Sequence, residues 1–251
     1  MAAKLRDIVT WLDKELDTKS FDDGSANGLQ VEGRKEVGNV GLAVDACAAS
    51  IRAAARAKCD LLIVHHGLIW GGGIRAVTGV ARRRLAMILK HDMSLYTSHL
   101  PLDAHPRLGN NAGLAKVLGL TRIKPFATYH GREIGLRGVL ARTLTAKALA
   151  ERAAKALAGS ARVFGDPKKR LKKVGVVSGG GTMAITEAAE LGLDALVTGE
   201  GTHAAELEAR ETDVAIIYAG HYETETLGVK ALGAALAKRF RVNSEFLNVA
   251  K

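Results

Sequence analysis

Aromatic residues make up only 4% of this 251-residue chain, and it has just four prolines and two cysteines. Cys47 and Cys59 lie outside any C-x-x-C arrangement, so the pattern argues against a disulfide framework or a thiolate metal site and for two packed thiols. No apolar run reaches the roughly 18 residues of a membrane span. Met1-Ala2-Ala3-Lys4 leads into an amphipathic segment rather than a signal peptide, and the expected location is cytoplasmic. Acidic residues are also in deficit, 26 against 36 Lys plus Arg, for a net charge of +10. A field of that sign draws in phosphate, whether on a nucleotide or a nucleic acid. The scarcity of aromatics bears on that choice. Neither basic run, Arg82–Arg84 or Lys168–Lys173, has a stacking platform beside it, so both read first as solvated faces.

What the chain does have is 47% hydrophobic residues arranged in an alternating strand and helix rhythm. Apolar spacing predicts an opening helix over 3–16. Val40–Val44, an alanine-rich helix over 46–58 and Leu61–Val64 then form a βαβ unit with parallel strands. A basic helix over 77–91 and a strand over Met93–Thr97 follow. The rhythm resumes with strands at Val174–Val177, Ala195–Thr198 and Val214–Tyr218, a long helix from His221, and an edge strand over 241–249. Between these halves, 121–142 carries turn and strand signals, Thr145–Leu157 reads as a helix and Ala161–Phe164 as a short strand. The expected fold is therefore α/β, a mixed, mostly parallel sheet flanked by helices. Residues 1–124 and 166–251 form two halves of one main domain, and 125–165 a smaller inserted α/β domain.

Three stretches carry the chemistry. In DLLIVHHGLIWGGG, His65 and His66 end the most apolar strand of the chain, and open α/β sheets place ligands at that end. Taken alone, an adjacent pair is explained equally well by one core histidine beside one surface histidine. In SHLPLDAHPRLGNNAG, His99 and Asp103 are four apart. Pro101 argues against a helix there, so a loop is expected to present both groups. Asn110 and Asn111 are expected to cap the following helix. In HYETETLG, His221 and Glu225 share one helical face, one turn apart. Each group follows a strand's carboxyl end. Without His99, the set His65, His66, Asp103, His221 and Glu225, three imidazoles and two carboxylates, exceeds one tetrahedral zinc and suits two divalent ions with a bridging carboxylate. With no thiolate among the donors, Zn, Mn, Fe, Co and Ni all remain open. The turn Ser178-Gly179-Gly180-Gly181 adds a candidate anion cradle, set against plain helix-on-sheet packing. His203 is left without a role.

The motifs SANGLQVEG, IVHHGLIW, LYTSHLPLDAHPRLGNNAG, SGGG, LVTGE and GHYETE stand in order from residue 25 to residue 225. As a set the chain resembles the Nif-three-like dinuclear-metal family, whose members are labelled GTP cyclohydrolase 1 type 2 homologs. The resemblance implies that His66 and Asp103 hold one ion, His65 and His221 the other, and that Glu225 bridges them, with His99 handling protons beside the site. It also implies a toroidal homohexamer. The first functional expectation is a metal-dependent hydrolase of a nucleotide-like or phosphorylated heterocyclic substrate. The alternatives are a nucleic-acid-binding or DNA-processing ring and a metal carrier without catalysis.

Overall fold

A computed structural model describes residues 2–249, and these divide into two compact units. One runs up to Leu102 and takes up the chain again from Val229, while the other is Asp103–Gly228.

The first unit contains β1 (Ala3–Lys4), α1 (Leu5–Glu15), β2 (Gly28–Val31), β3 (Glu36–Val37), β4 (Asn39–Asp45), α2 (Ala48–Arg56), β5 (Leu61–His66), α3 (Gly79–Lys90) and β6 (Ser94–Thr97). The short helix α4 (Leu100–Ala104) crosses the boundary into the second unit. That unit continues with α5 (Asn110–Val117), β7 (Leu120–Tyr129), β8 (Arg132–Thr145), α6 (Ala146–Leu157), β9 (Arg162–Phe164) and β10 (Arg170–Val177). It goes on through α7 (Ile185–Glu190), β11 (Ala195–Thr198), α8 (His203–Thr212) and β12 (Ala215–Tyr218). The long helix α9 (His221–Phe240) carries the chain back into the first unit, where β13 (Asn243–Phe246) ends the regular structure.

Strand order in the first unit is β13-β4-β5-β6-β2. The first four of these are parallel, and β2 is antiparallel. Leu61, Leu62, Ile63 and Val64 are all fully buried, as expected of a central strand covered on both faces. Ile51 and Ala54 of α2 and Ile88 of α3 pack onto this layer with Leu62, Val64 and Leu95. In the second unit the order is β7-β8-β10-β11-β12-β9, with β10, β11 and β12 parallel. Its core gathers Leu149 and Ala153 of α6 with Val174, Val176, Val197 and Ile217. The two larger sheets thus have a parallel centre, with one antiparallel edge strand in the first and antiparallel strands at both edges of the second, the mixed α/β architecture expected from the sequence.

The segment 125–165, which sequence reading sets apart as an inserted domain, supplies most of the β7–β8 hairpin, α6 and β9. Its strands join the six-stranded sheet, β8 running antiparallel beside β10 and β9 beside β12. The compact units accordingly have other bounds. Pro101 does not prevent a helix either, since α4 spans it. Proline in a first turn forfeits no hydrogen bond, because the first four N–H groups of a helix have no intrahelical partner.

Gly233 of α9 lies against β4, where a Cβ would come within 3.0 Å of Leu42 Cγ and 2.9 Å of its Cδ2. Alanine at this position would gain about 1 kcal/mol of helix propensity but would overpack a closed contact at about 1–3 kcal/mol. Gly233→Ala is expected to lower the urea midpoint despite its better propensity, while alanine at an open helical position raises it or leaves it unchanged.

Candidate functional site

The parallel strands of the first unit end side by side, and their last residues build a cluster of imidazoles. His65 is fully buried and His66 half-buried at the end of β5. His99 follows β6 by two positions, and one ring nitrogen from each of the three lies within 4.8 Å of the others. Ring centroids are 4.7 Å apart for His65–His66 and 5.0 Å for His65–His99. In every case Nδ1 is tied to an oxygen: His65 to the Ser98 carbonyl at 2.9 Å, His66 to Asp45 Oδ1 at 2.8 Å, and His99 to Asp23 Oδ1 at 2.8 Å. A carbonyl or carboxylate oxygen only accepts, so each Nδ1 carries a proton, and in the neutral ring the lone pair is left on Nε2. Asp45 is cross-strand partner to His66 in the β4–β5 register, so the sheet itself sets that pairing.

Asp23 is the hub of the surrounding loops. Its carboxylate accepts from the backbone N–H of Ser25 and of Leu100, from Asn27 Nδ2 and from His99. Burial alone pushes this carboxyl up, but the hydrogen bonds from His99, Ser25 and Asn27 and the nearby His99 charge outweigh it and hold the group at about 2. Asn27 in turn accepts from the His99 N–H at 2.7 Å. Gln30 accepts from the N–H groups of Leu68 and Ile69 and donates to the Ala26 and Ile69 carbonyls, clamping the loop after His66. Trp70 meets the His99 ring edge-on at 5.0 Å.

The second unit builds its cluster in the same way, at the ends of β10, β11 and β12. Gly199 N–H and Glu200 N–H both donate to the Gly179 carbonyl, and Gly220 N–H to the Gly199 carbonyl. A Cβ on Gly199 would come within 2.6 Å of His221 Cα and 2.8 Å of Gly179 O. Only glycine lets these three turns close up. His221 opens α9 with Nε2 at 3.1 Å from Glu225 Oε1 and Nδ1 at 3.0 Å from Glu200 Oε1. The hydrogen bond to Glu225 is the largest influence on this imidazole. With the Glu225 charge and Glu200 it overcomes the opposing effect of burial and raises the group to about 9. Asp103, buried in α4, accepts from Ser178 Oγ at 2.7 Å and Asn110 Nδ2 at 2.8 Å.

The predicted residues therefore fall into two sets: His65, His66 and His99 in one unit, and Asp103, His221 and Glu225 in the other. Some expectations are corrected. Asn110 and Asn111 do not cap α5, whose N-cap is Gly109. Asn110 accepts from Gly228 N–H as well as holding Asp103, and Asn111 bridges Ser178 N–H and the Ile134 carbonyl. The SGGG turn is no open anion cradle, because Gly179 N–H donates to Thr224 Oγ1 and Gly181 N–H to Thr198 Oγ1. His105 Nδ1 accepts from the N–H of Arg107 and of Leu108, closing a turn. His203 opens α8 at the surface, outside both sets. The residues that sequence reading misses are the orienting ones: Asp23, Asn27, Gln30, Asp45, Ser178 and Glu200. Asp45 and Glu200 obeyed the strand-end rule that found the histidines. Asp23 and Asn27 lay within a glycine-rich turn and carried only a turn signal.

Comparison with known proteins is consistent across the whole chain. The family description Duf34/NIF3 (NGG1p interacting factor 3) matches residues 3–251. A Deinococcus radiodurans protein called GTP cyclohydrolase 1 type 2 homolog is 41% identical over 242 residues, covering 96% of this chain and 92% of the relative. A Pyrococcus horikoshii protein of the same name is 44% identical over 246 residues, with 96% of each covered. Among solved structures, protein ybgI, described as of unknown function, aligns at a TM-score of 0.92 with 33% identity and 99% of both chains covered. TTHA1606 from Thermus thermophilus aligns at 0.89 with 39% identity and the same coverage.

The depressed carboxyl of Asp23 gives a pH test of the hub. A carboxylate held at about 2, against 3.8 ordinarily, contributes stability that is present above pH 3.8 and lost as pH falls through the folded value. Asp23→Asn is expected to lose about 2 kcal/mol at pH 7, read as a lower urea midpoint, and the gap from wild type is expected to narrow between about pH 4 and pH 2.

Proposed function

Because the chain belongs to the Duf34/NIF3 family, we propose that it holds two divalent ions through His65, His66, Asp103, His221 and Glu225 and hydrolyses a nucleotide-like or phosphorylated heterocyclic substrate. The name shared by its relatives, GTP cyclohydrolase 1 type 2 homolog, supports that substrate class. So does the net charge of +10, which attracts phosphate.

The observation that carries the reading is the tethering of the imidazoles. His65, His66 and His99 all have Nδ1 fixed on a carbonyl or carboxylate. Metal-binding histidines are oriented in this way, with the second nitrogen donating to an oxygen so that the first faces the ion. The donor set of imidazoles and carboxylates fits Zn, Mn, Fe, Co or Ni. In the division of labour that goes with this proposal, His66 and Asp103 would hold one ion, His65 and His221 the other, and Glu225 would be shared between them. Bound ions of this kind supply Lewis acidity and bring a water's pKa to about 7.

The chain's own groups then have separate tasks. Asp45 and the Ser98 carbonyl hold His66 and His65 in the ligand tautomer. Ser178 and Asn110 fix one oxygen of Asp103 and so orient the carboxylate. His99, with Nδ1–H on the ionised Asp23, offers Nε2 for proton transfer. Trp70 packs edge-on against the His99 ring. A toroidal homohexamer belongs to the same proposal, and light scattering that returns the mass of one 26.5 kDa chain would remove it.

Elemental analysis of purified protein is expected to find two divalent ions per chain, and both His66→Ala and Glu225→Gln to reduce that number. A metabolite turnover screen should then separate wild type from His66→Ala by at least about a hundredfold, because loss of a mere outer-shell partner of a metal ligand already costs about 10–100-fold. Full metal occupancy without turnover of any nucleotide, pterin or phosphoester would defeat the hydrolase and leave a metal carrier.

A further inference from the structure

The sheet edge of the second unit carries a cavity of about 220 Å³ lined by Arg122, Lys124, Arg137, Lys173, Leu191 and Leu193 among others, with no acidic residue in its wall. Strand register explains how the cations come together. Lys124 is the cross-strand partner of Arg137, and Lys173 partners Val139, two residues along β8 from Arg137. Partners directly opposite, and residues two apart on a strand, face the same side of a sheet, so Lys124, Arg137 and Lys173 share one face. The β7 strand is irregular between Thr121 and Lys124, with Arg122 at φ +53°. A bulge of this type re-aims side chains, and Arg122 joins the same wall.

Like charges placed opposite one another across strands repel. Among the described residues, none of these four side chains has a carboxylate partner, and Arg137 Nε is buried without a hydrogen-bond partner. A buried guanidinium nitrogen left in that state marks a missing acceptor. Lys173 also closes the basic run 168–173, for which the candidate metal site has no use. Along β10 it precedes Ser178 by five residues, about 16 Å at roughly 3.3 Å per residue, so the cavity is not part of the cluster around Asp103 and Ser178.

We propose that this cavity binds a small phosphorylated anion, at a site separate from the proposed metal centre. Its volume is below the ~300 Å³ at which pockets begin to take drug-sized ligands, which suits one phosphoryl group with a short attachment. Arg137 and its neighbours supply forked and point-charge donors to the oxygens. Leu191 and Leu193 give the attachment an apolar wall. The source is either free phosphate or a phosphomonoester.

The test is calorimetric titration of the full-length, metal-replete protein with inorganic phosphate and with glycerol 3-phosphate, against chloride at matched ionic strength. Wild type is expected to bind saturably. The double variant Arg137→Met, Lys173→Met should lose at least about tenfold in affinity, while His66→Ala keeps it. Tighter binding of the monoester assigns the site to a phosphorylated metabolite, and equal binding assigns it to phosphate. Absence of saturation in wild type overturns the proposal. So does affinity that vanishes in His66→Ala but survives in the double variant, which would place the anion at the metal centre. A double variant that changes only the oligomeric mass, with no phosphate binding in wild type, would give the cations to a contact between copies. Because the double variant removes like-charge repulsion, its urea midpoint without phosphate should equal or exceed that of wild type, separating lost binding from lost folding.

Discussion

An imidazole can offer a lone pair in a chosen direction only if something else holds its proton. In this protein that condition is met three times in one small region, by a backbone carbonyl at His65 and by carboxylates at His66 and His99. Much of the first unit serves the condition. The parallel register of β4 and β5 sets Asp45 opposite His66, and the end of β6 brings the Ser98 carbonyl to His65. The turn before β2 folds back so that Asp23 reaches His99 while its other bonds tie down Ser25, Asn27 and Leu100. A single buried carboxylate thereby couples the tautomer of one histidine to the shape of two loops.

The second unit reaches a comparable result with different means. There the constraint is close backbone approach. Gly179, Gly199 and Gly220 end three neighbouring strands and hydrogen-bond to one another, leaving His221 and Glu225 on the first two turns of α9 beside them. The bulk of a single methyl at Gly199 would collide with backbone atoms of His221, Gly179 and Gly220, none of which can swing aside as a flexible side chain would. Ser178 and Thr224 use the same turns to hold Asp103 and the Gly179 N–H. The glycines that suggest an anion cradle in the sequence are therefore spent on assembly. The unsatisfied positive charge of this unit lies elsewhere, on the face shared by β7, β8 and β10.

Legibility in the sequence followed the range of the interactions involved. Buried strands and helices depend on local periodicity, so Leu61–Val64 and the parallel βαβ units could be read directly. The placing of His65, His66 and His221 followed from one topological rule about strand ends. Pro101 and Asn110 misled because each has a local preference that context overrode. The proline fell where its missing N–H costs nothing. The asparagine's amide gained more from a buried carboxylate than from a helix end.

By itself the sequence determined the α/β alternation, the net positive charge, the strand ends at which the histidines stand and the family motifs from residue 25 to residue 225. Those depend on neighbours in the chain or on composition. The tertiary structure alone decided that Asp23 serves His99 across 76 residues, that 125–165 joins a larger sheet, and that Lys124, Arg137 and Lys173 share a face. Each of these follows from strand order, register or loop closure, which are properties of pairings between distant segments and leave no local trace in either segment.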